Sequence, residues 1–482
     1  MNASIKKTIE RILPFLFVFV ASIFKPTDPD LGWHLKYGEY FSRHGQILRD
    51  NAFSVMMPDF RWANISWGID LTSFVAFHFG GFLGLSLLAG IVITLTFYFF
   101  SKAFDLSYWE KTLIFPFLFL IELPVNQISF RGQLMSILFI AILTYMIKKY
   151  EKNKSKIIYL TPLLFVLWGN LHGQFILGLA ILVFWFIFYI LNLFLTKELK
   201  NNLSKLKLLG ISILLSLVAP LINPFGIEVY KTVIVHAFNP NLKDIMEYLP
   251  FDELSSQWWM LLSVGILVFF GLVYLFFEEK IKNQITSLGL FSILYILSWT
   301  VRRYAWSMYY FAIPFLKTLA SFFIPGGKRI TFYLSTSLFV IYLLITLFIK
   351  YPFSQFTNMS WEDYCRDVNK CSSSSVEFLK KNNLTQDLYS MYNWGGWMIW
   401  NYPEIKPTID GRMHLWKDAK GYSGFEDYYG YEQNFKDIND SPYNVILMSP
   451  GKPVYKRLLE LNRLGAWRLV YQDNNAGVFV RN

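Results

Sequence analysis

Asp28-Pro29-Asp30-Leu31-Gly32-Trp33-His34-Leu35 places two carboxylates and an imidazole directly after the first apolar run of the chain, Ile12 to Phe24. Pro29 fixes its own φ and biases Asp28 toward an extended backbone, so the two acids stay close together without simply prolonging one helix. Ionisable groups where a membrane helix surfaces are costly to keep and are seldom idle. Two readings stay open for the pair. Asp28 or Asp30 caps the helix that carries Trp33, His34 and Tyr37, or the acids act chemically, as acid and base together with His34 or as ligands of a divalent cation such as Mg or Mn.

Composition puts this stretch at a membrane. Of 482 residues, 54% are hydrophobic and only 16% charged, and apolar runs recur at lengths near the ~18 residues needed to cross a bilayer. The net charge of +11 lies in short lysine clusters between apolar runs rather than in one basic tract, which argues for membrane orientation and against a nucleic-acid partner. Lys6, Lys7 and Arg11 precede the first run, which resembles a signal sequence in charge and shortness but lacks a small-residue cleavage site. It reads as a first transmembrane helix with a cytoplasmic N-terminus.

Ten further spans are expected at roughly 82–100, 112–124, 133–147, 157–169, 174–195, 206–222, 258–277, 284–300, 306–323 and 331–349. Every second connection is lysine-marked: Lys102 and Lys111; Lys148 to Lys156; Lys197 to Lys207; Lys280 and Lys282; Lys328 with Arg329. That alternation is the positive-inside pattern. Residues 1–350 therefore read as a polytopic α-helical membrane domain of about 11 transmembrane helices, with a first outer loop at 25–67 and an interfacial amphipathic helix at 66–79. Residues 351–482 lack long apolar runs and read as a soluble extracytoplasmic α/β domain, with strands at 386–392, 443–448, 467–472 and 476–481 and helices at 373–381, 394–400 and 453–464. Cys365 and Cys371 carry no metal or redox motif; in an oxidising compartment they are candidates for a local disulfide.

The unmarked connections gather different residues: Arg131, His172, Asn223-Pro224-Phe225-Gly226, Glu247 and the Arg302-Arg303 pair. Arg131, Arg302 and Arg303 suit a phosphate, which guanidinium holds bidentately, or anchor lipid headgroups. His172 is a ligand, a proton carrier or a helix-end histidine. Glu122 and Glu247 add acids on the same side. In the C-terminal part, Trp394 and Trp397 flank two glycines and serve either docking or stacking on sugar faces. Asp410 and Arg412 form a local ion pair or line a cleft. No His/Cys/Glu group has ligand spacing, which argues against zinc.

Taken together these residues resemble the GT-C superfamily of membrane glycosyltransferases, and within it a bacterial group with an Asp-Pro-Asp-x-x-Trp-His-Leu opening. The likeness is carried by Asp28 to Leu35, Arg131-Gly132-Gln133, Asn170-Leu171-His172-Gly173, Asn223 to Gly226, Arg302-Arg303, Trp394-Gly395-Gly396 and Asp410-Gly411-Arg412. It implies an inverting transfer of sugar from a polyprenyl-phosphate donor to a glycan or lipid acceptor, on the outer face of a bacterial inner membrane. Asp28, Asp30 and His34 would be catalytic, Arg131, Arg302 and Arg303 would hold phosphate, and His172, Glu247, Trp394, Trp397, Asp410 and Arg412 would line the acceptor cavity. Two other function classes fit the same pattern: a transporter of a lipid-linked saccharide, and a non-catalytic scaffold of envelope assembly.

Overall fold

The computed structural model describes residues 3–237, 242 and 246–482. Among the described residues six helices are long and apolar enough to cross a membrane: Trp67–Ala103, Gly132–Asn153, Phe175–Leu195, Lys200–Leu221, Ser256–Phe277 and Lys328–Ile349. At 1.5 Å per residue, 22 residues reach about 33 Å, enough for a hydrocarbon core of ~30 Å. Shorter apolar helices lie at Lys156–Leu171, Ile285–Thr300 and Ile313–Phe322. The span expected at 306–323 is broken in two, Ala305–Phe311 and Ile313–Phe322, with Pro314 in the first turn of the second piece. Proline has no N–H to continue the ladder, and it starts a helix more easily than it crosses one.

Contacts divide the chain into two compact units. The first comprises Met1–Pro26, Leu83–Val233 and Leu242–Ser354; the second comprises Thr27–Phe82, Ile234–Asn241 and Gln355–Asn482. Hydropathy alone assigned the first outer loop to the membrane part, whereas its side chains pack with the C-terminal residues. The Trp67–Ala103 helix changes direction at Gly81, whose φ of 56° and ψ of −148° suit glycine. The segment 66–79, expected to be interfacial, lies on the near side of that break.

Within the second unit a four-stranded sheet runs in the order β1-β2-β4-β3: β1 (Leu388–Ser390), β2 (Val445–Met448), β3 (Trp467–Gln472) and β4 (Gly477–Arg481). β1 pairs with β2 in parallel, and the β2–β4 and β3–β4 pairs are antiparallel. All four residues of β2 are buried, as a central strand requires. Asp473 Oδ1 accepts the amides of Asn475 and Ala476 and so closes the β3–β4 hairpin. Cys365 and Cys371 are joined by a disulfide across a six-residue separation.

The Leu31–His44 and Gly395–Asn401 helices meet at glycine. A Cβ on Gly32 would lie 1.9 Å from the carbonyl oxygen of Gly396, far inside van der Waals contact. The glycines of Leu31-Gly32-Trp33 and Trp394-Gly395-Gly396 are thus required by backbone-to-backbone approach. Gly32→Ala is expected to destabilise the second unit by at least about 1–3 kcal/mol, because backbone cannot yield as a flexible side chain would. Thermal unfolding followed by tryptophan fluorescence checks this; an unchanged midpoint contradicts it.

Candidate active site

The second unit builds an acid and imidazole cluster at the start of the Leu31–His44 helix. Asp30 occupies the N-cap position, but its side chain makes no capping hydrogen bond. Asp28 is buried, its Oδ1 accepting the Asp30 amide at 3.2 Å and its carbonyl accepting the Tyr364 hydroxyl. The Asp30 carboxylate lies over Gly411, where an added Cβ would fall 1.8 Å from Oδ1. Four residues on, His34 stacks on Trp33 with ring centroids 3.6 Å apart.

His34 Nδ1 lies 2.5 Å from Asp70 Oδ1, and the other Asp70 oxygen accepts Asn64 Nδ2 at 2.6 Å. The Asp70 side chain is 2% exposed and that of His34 18%, so the carboxylate is sealed while the imidazole keeps an open edge. Burial alone pushes the His34 pKa down; the charge and hydrogen bond of Asp70, with smaller contributions from Asp28 and Asp30, outweigh it and hold the pKa above its usual value. Neither Asp70 nor Asn64 was singled out from the sequence. In linear order Asp70 is one polar residue on an amphipathic helix, 36 positions from His34.

Two carboxylates do not make a cation cage here. Asp28 uses one oxygen on the Asp30 amide, and among the described residues no group of three or more His, Cys, Asp or Glu is placed to hold a metal. Mg is usually held by one or two carboxylates completed by water and substrate phosphate. Asp28 and Asp30 are a pair of carboxylates of that kind, without a third protein ligand beside them among the described residues.

Asp410 and Arg412 lie in the same unit with side chains fully buried. Arg412 reaches both oxygens of Asp410 through Nε (2.6 Å) and Nη2 (2.5 Å), and also donates to the Tyr37 hydroxyl and to Asn51 Oδ1. Its guanidinium faces the rings of Tyr37, Phe53, Trp62 and Trp416. The pair fastens the first outer loop to the C-terminal residues. Trp394 and Trp397 are likewise buried, Trp394 Nε1 donating to the Asn369 carbonyl. An edge of Trp397 joins Trp361, Glu362, Glu377, Asn401 and Tyr402 around an open cleft of about 490 Å³.

The first unit holds a cluster of the opposite charge. Arg131 Nη1 and Arg303 Nη1 both reach Glu247, at 3.3 and 2.9 Å on its two oxygens, and Arg303 also donates to the Tyr248 hydroxyl at 2.7 Å. The adjacent arginines therefore diverge. Arg302 turns to the carbonyls of Leu249 and Pro250 and stacks over Phe251. His172 packs on Gly132, next in sequence to Arg131, and its Nδ1 lies 2.7 Å from Ser136 Oγ, which also accepts Trp168 Nε1. Glu122 is fully buried just beyond the Tyr108–Ile121 helix.

No family model and no curated protein sequence matches this chain. Among solved structures, it is similar to the crystal structure of ArnT from Cupriavidus metallidurans bound to undecaprenyl phosphate, with a TM-score of 0.55 at 9% identity over 99% of this chain and 98% of that one. Over nearly its whole length the chain has the fold of ArnT.

Proposed function

We propose that this protein is a GT-C-type glycosyltransferase of a bacterial inner membrane, moving a sugar from a polyprenyl-phosphate donor to an acceptor hydroxyl on the extracytoplasmic face. The reading includes about eleven spans, a cytoplasmic N-terminus and extracytoplasmic C-terminal residues, as the lysine alternation suggests. The observation that carries it is the convergence of Arg131 and Arg303 on one carboxylate. Two guanidiniums on a single acid form a ready anion site, in which Glu247 holds the place that a phosphate takes when the donor binds. That ArnT was crystallised with undecaprenyl phosphate supports a polyprenyl lipid as ligand.

In the transfer, the acceptor oxygen attacks the anomeric carbon, the bond from that carbon to phosphate breaks, and the electron pair leaves on the phosphate oxygen. Attack from the opposite face inverts the centre. Arg131 and Arg303 of the first unit are assigned to the charge growing on the leaving phosphate; the acceptor proton is assigned separately to the acids and imidazole of the second unit, Asp28, Asp30 and His34. The cleft beside Trp361 and Trp397 is assigned to the saccharide part of the acceptor, its carboxylates and amide accepting and donating hydroxyl hydrogen bonds.

Purified protein in proteoliposomes, supplied with a polyprenyl-phosphate sugar and a glycan or lipid acceptor, is expected to release polyprenyl phosphate and form a glycosidic bond. The Asp28→Asn/Asp30→Asn double variant should lose most of that activity. Movement of the lipid across the bilayer without bond formation overturns the enzymatic reading, and undiminished transfer by the double variant removes the acids from the mechanism.

A further inference from the structure

We infer that His34, held in place by Asp70 and Asn64, is the group that accepts the acceptor proton, with Asp28 and Asp30 shaping its surroundings; this rests on the glycosyltransferase reading. Asp70 cannot do the work itself. Its carboxylate is sealed from solvent and both oxygens are engaged, one with His34 and one with Asn64. Asp28 is buried and bound to the backbone of its own turn. His34 combines an orientation fixed by Asp70 and Trp33 with a partly exposed side chain.

The hydrogen-bond pattern assigns the tautomer. An ionised Asp70 only accepts, so Nδ1 carries the hydrogen and the Nε2 lone pair is left for a substrate proton. Among the described residues nothing bonds Nε2. Stacking on Trp33, itself packed with Tyr37 and Ile399, limits rotation of the ring. The proton moves from the acceptor hydroxyl to Nε2 as its oxygen bonds to the anomeric carbon and the phosphate departs. The resulting imidazolium is then paired with Asp70. A buried acid behind an imidazole serves the same purpose in hydrolytic triads, where it orients the ring and stabilises its charged form. Asp70 and Asn64 are positioning residues.

The charged groups around His34 fix the sign of its pH dependence. Asp70 faces it from the Trp67–Ala103 helix, Asp28 and Asp30 from the turn before its own helix, and Arg412 acts on Asp70. All three acids favour the protonated ring, which cannot accept a proton. Transfer should therefore rise with pH through a limb lying above 6.5, the ordinary histidine value.

The test compares wild type, His34→Gln, Asp70→Asn and Asp70→Glu as full-length protein in nanodiscs. With a polyprenyl-phosphate sugar, His34→Gln should lower kcat by about 10²–10⁴-fold. Asp70→Asn should lower kcat while leaving donor KM nearly unchanged, and should move the acid limb to lower pH; Asp70→Glu should restore part of both. In parallel, NMR of isotope-labelled histidine needs no substrate, and should show His34 titrating above 6.5 in wild type and lower in Asp70→Asn. If wild type transfers sugar but the limb stays put in Asp70→Asn, or His34→Gln keeps activity within about threefold of wild type, against the factor expected of a lost general base, the inference fails and the enzymatic reading stands. If wild type forms no glycosidic bond, both fall.

Discussion

Arg412→Met is expected to destabilise the second unit by about 3–5 kcal/mol, since it strands the Asp410 carboxylate in an interior where the ion pair is fully buried. Burial alone raises the Asp410 pKa; the Arg412 charge and hydrogen bonds outweigh it and hold the carboxyl below its usual range. That contribution is present above the unfolded value of 3.8 and is lost as pH falls through the lowered one. The arginine also donates to Tyr37 and Asn51 and lies against four aromatic rings, so polar and packing contacts disappear together. Melting in detergent, followed by tryptophan fluorescence, should show the loss for the single variant. Asp410→Leu combined with Arg412→Met should recover much of it, because no uncompensated charge remains. A single variant as stable as wild type means that the pair does not hold the loop to the C-terminal residues.

Arg303→Ala and Arg131→Ala should each reduce transfer from a polyprenyl-phosphate sugar by about 10²–10³-fold, the usual loss when one donor to a developing oxyanion is removed. Arg302→Ala should cost far less. Its guanidinium is committed to the carbonyls of Leu249 and Pro250, although it adjoins Arg303 in sequence. Glu247→Gln should tighten binding of polyprenyl phosphate itself, since a neutral amide competes less well for the two guanidiniums than a carboxylate does. Initial rates and a lipid-binding titration across the four variants separate these effects. Equal losses at Arg302 and Arg303 remove the cluster as the phosphate site.

Local pattern carried much of the fold. The helix expected at 373–381 is Ser373–Lys381, the one expected at 453–464 is Pro453–Arg463, and the strand expected at 443–448 is Val445–Met448. Each depends on near neighbours: the Ser372 side chain capping the first helix, Pro453 opening the second, and a continuous apolar run for the strand. Long apolar helices were legible for the same reason, because crossing a bilayer is a requirement on consecutive residues. The order of the motifs along the chain was legible too, but not what the motifs are for. Gly32 and Gly396 are explained by touching backbones, and Gly411 by the carboxylate of Asp30 above it.

By itself the sequence determined where hydrophobic helices and short strands form, and that the chemistry-bearing residues are acids, arginines and histidines. Only the tertiary structure decided their partners: Asp70 and Asn64 for His34, Glu247 for Arg131 and Arg303, Ser54, Asn51 and Tyr37 for the Asp410–Arg412 pair. The physical reason is one of range. Helix and strand formation is fixed by hydrogen bonds and apolar periodicity within a few residues, whereas a buried polar group must be satisfied by whatever packing brings beside it. For Arg412 that means Tyr37, 375 positions away along the chain.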